Sequence, residues 1–145
     1  MHIATKAPAA FIWLMFAAVS HAGDFTGNWS LDVRSKSERK RGVECGVATF
    51  SLKQTGDKIL GDHTFSTPGC GRLNEGGEGS VTGTAQGNTA VLLVTSGRNG
   101  AVVRGRATLQ GHLLHWVTLD ELKSGEPEYD SSLILGKGTL TQKGK

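Results

Sequence analysis

The punctuation of the chain after Gly23 constrains its fold more than any single motif does. Short runs rich in Val, Leu, Thr and Phe are separated by glycine with Asn, Asp, Ser or His, and no long stretch repeats apolar residues at helical spacing. That is the pattern of an all-β barrel or sandwich. Strands are expected at about 26–33, 46–55, 58–66, 79–86, 89–96, 101–110, 113–120 and 132–142. Gly56-Asp57, Gly87-Asn88 and Gly111-His112 form tight two-residue hairpin turns, where glycine supplies a positive φ. The connections at 34–45, 67–78, 97–100 and 121–131 are mostly long and polar. Tight turns alternating strictly with longer loops give an up-and-down meander, because odd connections share one end of the sheet and even ones the other. The expected fold is an all-β, eight-stranded antiparallel up-and-down β-barrel, shut by turns at one end and ringed by loops at the other.

Turn length also sets register. The turn at Gly56-Asp57 puts Ala48, Phe50, Leu52 and Gln54 opposite Phe65, His63, Gly61 and Ile59 on one face. The turn at Gly87-Asn88 aligns Val81, Gly83 and Ala85 with Val94, Leu92 and Ala90. The turn at Gly111-His112 aligns Val103, Gly105, Ala107 and Leu109 with Asp120, Thr118, Trp116 and Leu114. Thr82, Thr84, Arg104 and Arg106 fall on the opposite, outer face.

Lys6, the apolar run 9–19 and Ser20-His21-Ala22 read as a secretory signal over residues 1–22, which leaves a single barrel domain at 23–145. The expected location is secreted or periplasmic, with no membrane span once the signal is removed. Without Lys6 the domain carries 15 basic and 13 acidic side chains, a net charge of about +2, too little to imply a nucleic-acid partner. Its two cysteines, Cys45 and Cys70, are an even pair in an oxidising compartment and are expected to form one disulfide. Register places Cys45 opposite Pro68, so the bridge would clip neighbouring strands at the loop end. Closing a loop of this length stabilises a fold by roughly 3 kcal/mol under the chain-entropy model.

"FTGNWSL" (25–31) resembles the glycine-x-tryptophan signature of the first strand in calycins, the lipocalins and avidins. "ILGDHTFS", "RGRATL", "LHWVTL" and "LGKGTLTQ" are similar to the third, sixth and last two strands of avidins. The resemblance implies a barrel with a pocket. It also implies that His63 stands where the avidin third-strand tyrosine would be and that Trp116 matches a pocket-wall tryptophan. Leu31, Gly138, Val94 and Val103 occupy the positions of other biotin-site residues, so biotin itself is not the expected ligand.

His63 is the sharpest candidate. Beside Phe50 and Phe65 it would be desolvated and neutral, able to donate from one ring nitrogen and accept at the other. It would either read a polar group on a mostly apolar ligand or be a core histidine satisfied by Gln54, Thr118 or a buried water. Trp29 is expected to plug the barrel floor, and Trp116 to be core or pocket floor. Small inward residues, among them Gly61, Gly83, Gly105, Gly138, Ala85, Ala90 and Ala107, leave space that a ligand or a few aromatics must fill. At the rim, "RSKSERKR" (34–41) is basic and "DELKSGEPEYD" (120–130) acidic, so the two loops either pair or recruit a partner.

His112 and His115 point to opposite faces of a strand, which gives no metal site, and no cofactor motif is present. No nucleophile elbow or phosphate loop appears, and Asp120 and Glu121 point apart, so a non-enzyme is expected. The leading expectation is a binding protein holding a small, mostly apolar ligand at the open end through Phe50, His63, Phe65, Val94, Val103, Trp116 and Thr118. The alternative is a protein-binding module, such as a protease or lysozyme inhibitor, acting through loops 34–44 and 67–78 around a solid interior.

Overall fold

The computed structural model describes residues 23–144, so the expected signal at 1–22 lies outside the described residues. The strands are β1 (Gly27–Asp32), β2 (Val47–Thr55), β3 (Lys58–Ser66), β4 (Leu73–Glu75), β5 (Val81–Gln86), β6 (Thr89–Thr95), β7 (Val102–Gln110), β8 (Leu113–Lys123) and β9 (Lys137–Lys143). All pairings are antiparallel, and the sheet closes through β2–β3 into an eight-stranded barrel, with β4 as a short extra strand on β3. One disulfide, Cys45–Cys70, clips the loop end.

The turn-based registers hold where the strands are regular. Phe50 pairs with His63 and Gly61 with Leu52 in β2–β3, and Val81 pairs with Val94 in β5–β6. In β7–β8, Ala107 faces Trp116 and Gly105 faces Thr118, as the turn requires. Beyond that point Arg104 pairs with Asp120, Val103 with Glu121 and Val102 with Lys123. The expected Val103–Asp120 pairing is therefore corrected by one bulged residue, Leu119; a second, Leu122, shifts only Val102 onto Lys123, and both leucines stand half-exposed. Bulges increase strand coiling near a barrel rim, and the one at Leu119 brings Asp120 opposite Arg104, whose Nε and Nη2 donate to its carboxylate at 2.9 and 2.6 Å.

Three further elements differ from expectation. A short helix, α1 (Lys36–Lys40), sits in the first loop. The last strand starts at Lys137 rather than near 132, because residues 132–136 leave the sheet. The strand beside β3 is also broken: β5 pairs with its first half (58–61) and β4 with its last three residues (64–66). Residues 76–80, Gly-Gly-Glu-Gly-Ser, bulge out between them, opposite Asp62 and His63.

Alternation fills the barrel. Phe50, Leu52, Ile59, Val81, Leu92, Val94, Ala107, Leu114, Trp116 and Leu140 are buried together. The small inward residues are covered by large neighbours: a Cβ added at Gly105 would stand 2.1 Å from Trp116 Cη2, and one at Gly83 would stand 2.6 Å from Leu92 Cδ2. Trp116 stacks edge-on to Phe50 with ring centroids 5.1 Å apart. At the turn end the floor is Trp29 with Phe25, both buried, and Trp29 Nε1 donates to the Phe25 carbonyl at 2.9 Å.

Candidate functional site

The break between β4 and β5 creates a polar cluster under the loop end. Where the ladder lapses, Ser80 Oγ accepts from the His63 backbone N–H at 3.2 Å, and the Gly76 N–H donates to the His63 carbonyl at 3.0 Å. Gly76 has no room for a side chain, since a Cβ there would lie 2.4 Å from His63 Cε1 and from Ser80 Oγ. The His63 ring is held at both nitrogens, Nδ1 to Ser80 Oγ at 3.0 Å and Nε2 to Asn74 Nδ2 at 2.9 Å. Asn74 is oriented by the Gly97 N–H, which donates to Oδ1 at 2.9 Å, so its amide nitrogen faces histidine and must donate. His63 Nε2 is therefore an acceptor, and the ring proton sits on Nδ1. Burial favours the neutral ring and pushes its pKa down to about 4, against a smaller upward pull from the Asp62 carboxylate.

Asn74 Nδ2 has one hydrogen left after His63 and shares it between the Ser132 and Leu133 carbonyls, each at 3.0 Å. Residues 132–136 thereby become a strap across the mouth. Leu133 and Leu135 are buried beneath it, and Leu133 takes a positive φ of 47° as the chain turns inward. Ser96 Oγ donates to the Ser132 carbonyl at 2.7 Å, while Trp116 Nε1 and Thr118 Oγ1 both donate to the Leu135 carbonyl, at 2.6 and 3.0 Å. Outside the strap, Arg98 grips Asp130 through both carboxylate oxygens at 3.0 and 2.8 Å. Every buried side-chain nitrogen and oxygen among the described residues has a partner.

The residues expected to line a pocket are thus in the core. Phe50, His63, Val94, Val103 and Trp116 are buried, while Phe65 and Thr118 are partly buried. They are brought together, but packed on one another and on Leu135. His63 is satisfied by Ser80 and Asn74 rather than by Gln54 or Thr118, because Gln54 is spent at the floor on the Phe25 N–H and the Gly56 carbonyl. Asn74, Ser80, Ser96 and Leu133 carry no sequence signal, since they stand in stretches that look like polar loop or plain strand; the break opposite His63 and the strap give them their roles. Two open concavities lie on the outer wall, the larger about 450 Å³ beside Ser51, Lys53, Leu60 and Asp62.

The rim is held by local hydrogen bonds. Arg34 forks onto Asp32 through Nε and Nη2 at 2.9 and 2.8 Å and reaches the Val43 carbonyl at 2.7 Å. These bonds from the guanidinium hold the Asp32 carboxyl well below the usual carboxylate range. Ser35 caps α1 in a reciprocal box with Glu38: Ser35 Oγ accepts the Glu38 N–H, and Glu38 Oε2 accepts the Ser35 N–H at 2.7 Å. The first and seventh loops, which could have paired, do not: the ion pairs among the described residues are Arg34–Asp32, Arg98–Asp130 and Arg104–Asp120. Among the described residues no group of three metal-ligating side chains occurs, and no helix is long and apolar enough to cross a membrane. The chain matches no protein-family model, no curated protein and no solved structure.

Proposed function

We propose that the protein is a secreted or periplasmic protein-binding module, with a calycin-like barrel as rigid support and the loops 34–44 and 67–78 as the contact surface. The observation that carries this reading is the strap at the mouth. Residues 132–136, tied to Asn74, Ser96, Trp116 and Thr118, occupy the space that a carried ligand would enter. The disulfide binds the two contact loops to each other, and the Gly69 N–H adds a bond to the Glu44 carbonyl at 2.8 Å. A rigid loop pair lowers the ordering cost of association, which suits an inhibitor of an extracellular hydrolase.

Two measurements test the proposal. Proteases and lysozymes from the same compartment are assayed with wild-type protein and with variants in which 34–44 or 67–78 is replaced by a Gly/Ser loop of equal length. Inhibition or partner retention by wild type alone supports the reading. A thermal-shift screen of apolar compounds is the opposing test: a compound that raises the melting temperature in wild type but not in His63→Ala or Trp116→Ala would return the interior-ligand reading and overturn this one.

A further inference from the structure

Helix α1 buries no residue, yet it is held by a cap, a two-pronged ion pair and a nearby disulfide. Ordering backbone costs about 1–2 kcal/mol per residue, and no core contact from the helix offsets that here. The segment 34–41 holds five Lys and Arg side chains against one Glu. Two carboxylates beside the helix are engaged in shaping the loop, Asp32 with Arg34 and Glu38 with Ser35, while Glu44 stands at the loop's far end. Lys36, Arg39, Lys40 and Arg41 have no ion-pair partner among the described residues. Arg39 uses Nη1 on the Arg34 carbonyl, which fixes where its guanidinium stands.

We propose that α1 and its flanks form a preorganised cationic clamp for a carboxylate-rich segment of a partner protein. The proposal rests on the loop-end reading above and names the chemistry of its partner. Arginine forks match carboxylates in two-pronged geometry, and a shaped cluster binds them better than the same charges on a floppy loop. An anionic membrane fits less well, because no apolar side chain occurs in 34–41 to enter a bilayer. A nucleic acid fits less well because the domain carries a net charge of only about +2 and the five-residue helix offers a patch, not a stripe. Glu126 and Glu128 in the seventh loop would repel a uniformly anionic surface, whereas a protein of mixed charge can accommodate them.

The test uses the protein from Gly23 onward, with its disulfide intact. A labelled twelve-residue peptide of alternating Glu and Gly is titrated beside Lys/Gly and Ser/Gly peptides, vesicles one-third phosphatidylglycerol, and a single-stranded oligonucleotide of matched charge. The Glu peptide is expected to bind at least tenfold more tightly than any other probe and to weaken about tenfold between 50 and 200 mM salt. Reversing Lys36, Arg39, Lys40 and Arg41 to Glu should abolish binding without lowering the melting temperature. Ser35→Ala keeps every charge but removes the cap and should cost three- to fivefold in affinity, with Ser35→Thr restoring it. Affinity that ignores Ser35→Ala, or that is equal for vesicles or oligonucleotide, would overturn the clamp. A partner lost on loop replacement but kept by the charge-reversed variant would sink the clamp alone. A partner kept after replacement of either loop would sink the loop-end reading itself.

Discussion

The two ends of this barrel are both closed, but by opposite means. The turn end is sealed by apolar bulk: Phe25 and Trp29 fill the floor, with Leu114, Leu140 and Ala107 in the same core above them. The loop end is sealed by hydrogen bonds, in which Asn74, His63, Ser80, Ser96 and Arg98 hold a strap carrying Leu133 and Leu135. Burial of apolar surface is indifferent to pH and tolerant in geometry, whereas a buried polar network depends on one protonation state and on every member being present. The turn end is a foundation, and the loop end is a fitted lid.

The largest expected effect tests the foundation. Trp29→Ala removes a fully buried indole and its bond to Phe25 and should cost about 3–5 kcal/mol, with the same loss at pH 5 and pH 8 in urea melts. If that loss varies with pH, the contrast between the ends is wrong.

The lid should titrate. His63 is neutral in the fold with a pKa near 4, against about 6.5 unfolded. Between those values the unfolded chain takes up a proton that the folded one refuses. Its contribution is therefore complete above pH 6.5, falls as pH drops toward 4, and is flat below. The loss amounts to about 3 kcal/mol. Protonation would also set an Nε2–H against the Asn74 amide donor. His63→Gln should flatten stability over pH 4–6.5; an unchanged slope in that variant would assign the effect to other groups.

Removing the clip with Cys45→Ser and Cys70→Ser should cost about 2–3 kcal/mol, given the separation of 25 residues. The damage should concentrate at the loop end, read as faster amide exchange in 34–45 and 67–75 with β6–β8 protected. The smallest effect is that of Arg98→Ala. Its bridge to Asp130 is partly exposed, so global stability should fall by about 1 kcal/mol or less, while amide exchange rises at Leu133 to Gly136. Exchange unchanged there would mean that the strap does not depend on its outer tie.

Much of the fold was legible because turn length and side-chain period together leave little freedom: a two-residue turn at Gly56-Asp57 puts Phe50 across from His63 and nothing else. The cysteine clip followed from the same arithmetic. The candidate site was legible only in part. His63 was placed inside, but its partners were hidden, because Gly76 to Ser80 looked like ordinary loop and Asn74 like one polar residue among many. Leu-Ile-Leu at 133–135 suits a strand by local pattern, but its backbone carbonyls are taken by Asn74, Trp116 and Thr118, groups far away in sequence.

By itself, then, the sequence determined the barrel, its strand registers away from the bulges, the outward and inward faces, and which cysteines meet, since each depends on local period and turn chemistry. Only the tertiary structure decided that Trp116 and Leu92 cover the inward glycines, that Leu133 and Leu135 are buried at the loop end, and that the basic first loop forms no ion pair with the acidic seventh. Those outcomes depend on which groups the closed barrel leaves unsatisfied, and that is a property of the whole arrangement rather than of any stretch within it.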